Sequence, residues 1–269
     1  VLSDIHLGTY GCQAKDLLKY LKSVQPKVLI LNGDIIDIWQ FKKRYWPKSH
    51  MKIVKHLVNW ISKGVKVYYI TGNHDELLRK FEGFELGNFS IANQLVLEID
   101  GQNTWFFHGD VFDVVMKHSK WLAKLGGFGY EVLIHFNALI NFFSNRLYGR
   151  KISLSKKIKN SVKSAVNFID DFEQTAIDIA MTKNYDTVVC GHIHQPKQKV
   201  YTKNGQKVTY LNSGDWIENL TALEYKNHKW TIYRYNPKDL VEIDLEDTDH
   251  IDKSTKTLYK EMLSEFSEN

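Results

Sequence analysis

Five short polar motifs in this chain each begin where an apolar run stops. They are Asp4-Ile5-His6, Gly33-Asp34-Ile35-Ile36-Asp37, Gly72-Asn73-His74-Asp75, His108-Gly109-Asp110 and Gly191-His192-Ile193-His194. The runs before the last four include Val28–Leu31, Val65–Ile70, Thr104–Phe107 and Asp186–Cys190, which are β-branched or aromatic and read as short buried strands. Two segments between the early strands repeat apolar residues at helical spacing: Leu17, Leu18, Leu21 and Val24, then Ile53, Val54, Leu57, Val58 and Ile61. Strand alternating with helix predicts parallel βαβ units. In parallel sheets ligands collect beyond the carboxyl ends of the strands. Motifs spread from residue 4 to residue 194 can therefore converge at one site.

The later part of the chain changes character. Gln198–Thr202, Lys207–Leu211, Leu220–Tyr225 and Trp230–Tyr235 read as consecutive antiparallel strands, with turns at Asn204-Gly205 and Lys226-Asn227-His228. The expected fold is α/β, with two sheets face to face and helices outside. The 269 residues, 43% of them hydrophobic, suit one large domain or a domain with an insertion. The expected division is a core of residues 1–116 and 168–240, a helical insertion at 117–167, and an acidic tail at 241–269, helical or partly disordered. Cys12 and Cys190 are the only cysteines, which excludes a disulfide framework and suits a reducing compartment. No apolar run reaches the roughly 20 residues that a membrane span needs. The sequence opens at Val1 inside an apolar stretch and without Met, so residues are expected to precede it.

The motifs supply Asp4, His6, Asp34, Asn73, His108, His192 and His194, all oxygen or nitrogen donors. Seven donors exceed one tetrahedral site and suffice for two cations sharing a ligand, an arrangement that attacks phosphorus with hydroxide. Asp4 and His6, like His192 and His194, are two apart, so on extended backbone both side chains of a pair face one ion. Gly33 permits a sharp turn at Asp34, whose two oxygens make it the natural bridge. Asn73 adds a neutral carbonyl oxygen. Mixed imidazole and carboxylate ligands suit Mn, Fe, Zn or Co rather than a site built on sulfur. His74 is assigned to phosphate contact or to protonation of the leaving oxygen. Asp75 either orients the His74 ring or caps the helix that begins at Glu76. Asp37 and Asp110 are read as supporting groups. Taken singly, such residues are ordinary turn and core chemistry; five motifs in this order at strand exits favour the cation site.

This ordered set resembles the calcineurin-like metallophosphoesterase superfamily over residues 1 to about 215. The resemblance implies a four-layer αββα fold and a metal-dependent hydrolase of phosphoric esters or anhydrides. It implies one cation on Asp4, His6, Asp34 and His194, and a second on Asp34, Asn73, His108 and His192.

The stretch between His108 and His192 bears on the substrate. Tyr130 to Phe143 is apolar on almost every side, and the run from Arg146 to Lys163 is basic, with Leu154, Ile158, Val162, Val166 and Ile169 at helical spacing. This predicts an acyl-binding cap with cations for phosphates or anionic headgroups, a hairpin that buries its own apolar face, or a dimer interface. Asn145-Arg146-Leu147, Ser153-Leu154-Ser155-Lys156 and the segment from Lys163 to Glu173 resemble the bacterial UDP-2,3-diacylglucosamine pyrophosphohydrolase group of lipid A synthesis. That resemblance implies Mn-dependent hydrolysis to UMP and 2,3-diacylglucosamine 1-phosphate. It also implies peripheral contact with the cytoplasmic face of the inner membrane. Asn73, His74 and Lys163 are the expected substrate contacts. Members of that group carry Arg after the metal-binding Asn, where this chain has His74. The alternatives are a related enzyme acting on another nucleotide or phosphodiester, and a non-catalytic scaffold, which the intact ligand set disfavours. The modest net charge of +5 and the clustering of basic residues in the insertion, rather than along a continuous groove, argue against a nucleic-acid partner.

Overall fold

The computed structural model describes residues 1–39, 45–115 and 154–237, with side chains described outside 114–115 and 154–166. Val28–Asn32 (β1) and Lys66–Ile70 (β2) pair in parallel, joined through Lys48–Ser62 (α2). Ala14–Ser23 (α1) precedes β1. Glu85–Leu86 (β3) and Phe89–Ala92 (β4) complete this sheet in the order β1-β2-β4-β3. The second sheet contains Gln94–Ile99 (β5), Gln102–Phe107 (β6), Thr187–Cys190 (β7), Lys197–Lys203 (β8) and Gln206–Asn212 (β9), in the order β5-β6-β7-β9-β8. Val111–Val115 (α3) follows β6, and Leu154–Thr182 (α4) leads into β7.

Three separate apolar clusters follow from the two-residue period of the strands. Leu29 and Leu31 of β1 and Val67 and Tyr69 of β2 turn outward to α1 and α2. Trp105 and Phe107 of β6 and Val188 and Cys190 of β7 turn the opposite way, to Phe172, Ala176 and Ile177 of α4. The residues between them, Ile30, Ile70, Phe106 and Val189, meet Leu211 and Leu223 between the sheets. The layers are therefore helix, sheet, sheet, helix, as expected.

Two sequence expectations need correction. The four late strands do not form one antiparallel run. β8 and β9 pair in the second sheet, whereas Thr221–Lys226 (β10) and Lys229–Arg234 (β11) form a separate hairpin. The Leu223 N–H donates to the Val1 carbonyl, and Leu2 bridges to Leu31 of β1, so the hairpin lies on the first-sheet side. The crossing at 213–220 contains Gly214, where any side chain would collide with Thr221, and φ is +71°. Strands β3 to β5 were not anticipated. The signal existed in β5, where Leu95, Leu97 and Ile99 alternate with polar residues and exposed Val96, packing partly onto the inter-sheet cluster.

Helix α4 runs continuously through residue 167, so the expected division between insertion and core falls within a single helix. Leu154, Ile158, Val162, Val166 and Ile169, read from the sequence at helical spacing, all fall within it. The apolar Tyr130–Phe143 run and the acidic tail lie outside the described residues. Among the described residues no helix is long and apolar enough to cross a membrane.

Phe106 is fully buried between the sheets. Phe106→Ala is expected to lower unfolding free energy by about 3–5 kcal/mol, measured by denaturant unfolding of the metal-free protein. A loss below about 1 kcal/mol would contradict close packing between the layers.

Candidate metal centre

Every motif sits at the carboxyl end of a strand or of the short N-terminal bridge. The Asp4 N–H donates to the Gly33 carbonyl (3.0 Å) and the His6 N–H to the Asp34 carbonyl (2.9 Å), which joins the first two motifs. Asp34 N–H lies beside Gly72, and the His74 N–H donates to Asp34 Oδ1 (2.8 Å), joining the third. The His192 N–H donates to Asp4 Oδ2 (3.1 Å), joining the last. The Gly191 N–H reaches the His108 carbonyl (3.0 Å) across β6 and β7.

The backbone at the site is left-handed, whereas the spacing of the paired residues predicts extended backbone. Asp4, His6, Asp34, His192 and His194 all have φ between 51° and 65°. Each such non-glycine residue carries strain of order 1–3 kcal/mol, and strain of this kind concentrates at functional sites. Asp4 and His6 still converge, because Ile5 between them turns into the core. Close approach also explains two glycines. A Cβ on Gly33 would fall on the His108 ring, and one on Gly72 would fall on the Asp34 carboxylate.

Asp34 is the centre of the arrangement. Its Oδ1 is held by the His74 N–H, and its Oδ2 faces His108 Nε2 (3.3 Å), His6 Nε2 (3.9 Å) and His74 Nε2 (4.0 Å). The possible ligand atoms of Asp4, His6 and His194 lie within 4.8 Å of one another, as do those of Asp34, His108 and His192. Asn73 presents a buried Oδ1 with no hydrogen-bond partner among the described residues, and His6 Nε2 and His108 Nε2 are likewise unbonded. Buried polar atoms left unbonded cost free energy, and such atoms call for an ion or ligand. The donor set fits two divalent cations. His108 Nδ1 donates to the Asn32 carbonyl (2.9 Å), which leaves Nε2 as the lone-pair nitrogen facing Asp34.

A third group, His6, Asp37 and His74, also satisfies the distance test. Its geometry is that of support. Asp37 Oδ2 accepts from His74 Nδ1 (3.0 Å) and lies 3.8 Å from His6 Nδ1, so one carboxylate orients both rings. Asp75 does neither task foreseen for it. Its carboxylate accepts from the Gly72 N–H (2.6 Å), the Ile35 N–H (3.0 Å) and the Tyr69 hydroxyl (2.6 Å), and makes no cap bond to the helix after it. It therefore fixes the loops that carry Asp34 and Asn73, while Asp37 partners the His74 ring. Asp110 binds Arg79, in line with a supporting role. Lys163 falls in α4, outside the residues with described side chains.

Sequence reading missed three polar groups at the site. Asp113 on α3 contacts His192 Nε2 (3.0 Å). Asp215 accepts the N–H groups of Ile217, Glu218 and Asn219 and lies 3.8 Å from His194 Nδ1. Asn219 Nδ2 donates to the His194 carbonyl (2.8 Å). Trp39, exposed, packs its ring 4.6 Å from that of His74.

Asp4, Asp34 and Asp37, all buried, make the site a sink for positive charge. Burial raises the Asp4 carboxyl, but His194 and His108 outweigh it and hold it down at about 2. Burial likewise opposes ionisation of Asp34 and Asp37, and the neighbouring rings bring both well below the usual carboxylate range. Burial lowers His194, yet the Asp4 charge and contact raise it to about 9. His108 is raised by Asp34 against the same opposition. His74 is raised by Asp37 and Asp34.

The calcineurin-like phosphoesterase family matches residues 1–196. Among curated proteins, the UDP-2,3-diacylglucosamine hydrolase of Aliivibrio fischeri (strain MJ11) is 24% identical over 238 residues, covering 87% of this chain and 96% of that relative. The protein of the same name from Enterobacter sp. (strain 638) is 27% identical over 229 residues, covering 80% and 89%. That from Stenotrophomonas maltophilia (strain K279a) is 22% identical over 238 residues, covering 86% and 96%.

Two outcomes are expected. His74→Ala lowers turnover by about 10²–10⁴ with metal content, read by elemental analysis, unchanged; loss of a cation would make His74 a ligand. Cation uptake at pH 7.5 releases protons, His194 among their sources, because a pKa of about 9 leaves that ring charged there. Calorimetry in buffers of different ionisation heat measures this. Cation affinity accordingly falls as pH drops; uptake without proton release contradicts the assignment.

Proposed function

This chain belongs to the calcineurin-like phosphoesterase family and is a metal-dependent hydrolase of phosphoric esters or anhydrides, and from that premise we propose that it cleaves the pyrophosphate of UDP-2,3-diacylglucosamine to UMP and 2,3-diacylglucosamine 1-phosphate. The carrying observation is the reach of the curated relatives. They align beyond the metal motifs, through the insertion and into the second half of the chain, over at least 80% of it. Trp39 supports the reading, since it sets an exposed apolar face against His74.

Asp4, His6, Asp34 and His194 would hold one cation, and Asp34, Asn73, His108 and His192 the other. Bound there, divalent cations, with Mn the first candidate, supply charge that polarises a phosphoryl oxygen and lowers the pKa of water. The remaining work falls to the chain. Asp37 holds Nδ1 of His74, so Nε2 is the nitrogen turned to the Asp34 side of the site. His74, whose pKa Asp37 and Asp34 raise against burial, donates there to a phosphoryl oxygen and stabilises negative charge that develops on it. A phosphate leaving group is a stable anion, so His74 need not transfer its proton in pyrophosphate cleavage. An alkoxide leaving group would require that transfer. Lys163 is assigned to the substrate phosphates. The place of action is the cytoplasmic face of the bacterial inner membrane, by peripheral contact.

His74 in place of Arg favours a second reading, in which the substrate is another nucleotide or phosphodiester. A panel separates the two: UDP-2,3-diacylglucosamine, an unacylated UDP-sugar, a generic phosphodiester and a phosphomonoester, each with and without Mn. The lipid reading expects Mn-dependent UMP release that is fastest from the acylated substrate. Equal rates on acylated and unacylated UDP-sugars would remove it.

A further inference from the structure

We infer that Asp113 is a positioning residue for the second cation, acting through the His192 ring, an inference that rests on the two-cation reading of the site. Asp113 Oδ2 lies 3.0 Å from His192 Nε2, with both side chains mostly buried. A carboxylate on Nε2 keeps the proton on that nitrogen. The lone pair then resides on Nδ1, the nitrogen available to a cation shared with Asp34 and His108. His108 is treated in the same way by a different group, since the Asn32 carbonyl holds its Nδ1. The two rings on one cation thus expose opposite nitrogens, each fixed by a partner behind it.

The placement of Asp113 is built into the fold. α3 starts at Val111, directly after the His108 motif, and the Phe112 and Asp113 N–H groups donate to the Gly109 and Asp110 carbonyls (both 3.0 Å). Phe112 is buried against Phe107 of β6 and Phe172 of α4, with ring centroids 5.2 and 5.3 Å away. Phe172 also packs on the His192 ring at 6.3 Å. One aromatic cluster therefore locates both the carboxylate and the imidazole. The adjacent Asp110 is engaged by Arg79 instead. Helix position decides which carboxylate reaches the ring, and sequence spacing from His108 alone would not.

The test is stepwise Mn binding to the full chain, followed by calorimetry and by the electron paramagnetic signal of bound Mn, in the native protein, Asp113→Ala and Asp113→Asn. Removing an orienting partner of a metal-bound His costs about 10–100-fold in affinity. The inference expects Asp113→Ala to weaken one Mn equivalent by that factor, to leave the other unchanged, and to keep the native melting temperature in chelator. Asp113→Asn, whose amide oxygen still accepts from Nε2, recovers most of the loss. Unchanged affinity for both equivalents overturns the inference, as does a raised KM with native Mn affinity, which would place Asp113 on the substrate. Equal weakening of both equivalents also overturns it. A native protein that binds fewer than two equivalents removes the two-cation reading and this inference together. Failure to cleave the lipid substrate, by contrast, affects neither Mn measurement.

Discussion

The Asp34 carboxylate fixes the rest of the site. It is almost fully buried, with one oxygen held by the His74 N–H and the other directed at three imidazoles. Asp4 and Asp37 are buried beside it. Three carboxylates removed from water are costly unless positive charge accompanies them. The histidines, the strained backbone and the close-approach glycines are all consequences of placing these charges at one point. The four layers make that possible. Three apolar clusters stabilise the sheets, and the strand ends are left free to carry groups that would destabilise a core.

The site separates two kinds of work. Asp4, His6 and His194 gather possible ligand atoms, as do Asp34, His108 and His192, and Asn73 Oδ1 is buried with no hydrogen-bond partner among the described residues. A surrounding set fixes the direction of these groups and of His74: Asn32 on His108, Asp37 on His6 and His74, and Asp75 on the loops of Asp34 and Asn73. Mixed nitrogen and oxygen donors with this degree of orientation suit a hydrolase of phosphorus compounds. The donor set does not choose the organic group on the phosphorus, and exposed Trp39 beside His74 is a surface outside that set.

Much of this was legible in the sequence because its signals are local. A strand that stops at Gly-Asp or at His-x-His announces its own exit, and helices between strands imply that the exits share one side. Such signals name seven candidate donors, of which the structure gathers Asp4, His6 and His194 in one group and Asp34, His108 and His192 in another. What escaped depends on distance through space. Asp113 and Asp215 carry no motif; they matter because Phe112 anchors one and the sheet-to-sheet crossing at 213–220 delivers the other. The role of Asp75 is hidden for the same reason, since its carboxylate takes the Ile35 N–H from the loop after β1 as well as the Tyr69 hydroxyl of β2. The β10–β11 hairpin looked like a continuation of β8 and β9, because nothing local records that the chain changes sheets at Gly214. The left-handed backbone at Asp4, His6, Asp34, His192 and His194 is likewise invisible to spacing rules.

The most direct measurement of the central claim is an anomalous-scattering map of crystals grown with Mn. Two peaks are predicted about 3.5–4 Å apart, with Asp34 between them, one beside Asp4, His6 and His194 and the other beside Asn73, His108 and His192. A single peak, or a peak seated among His6, Asp37 and His74, would contradict the account.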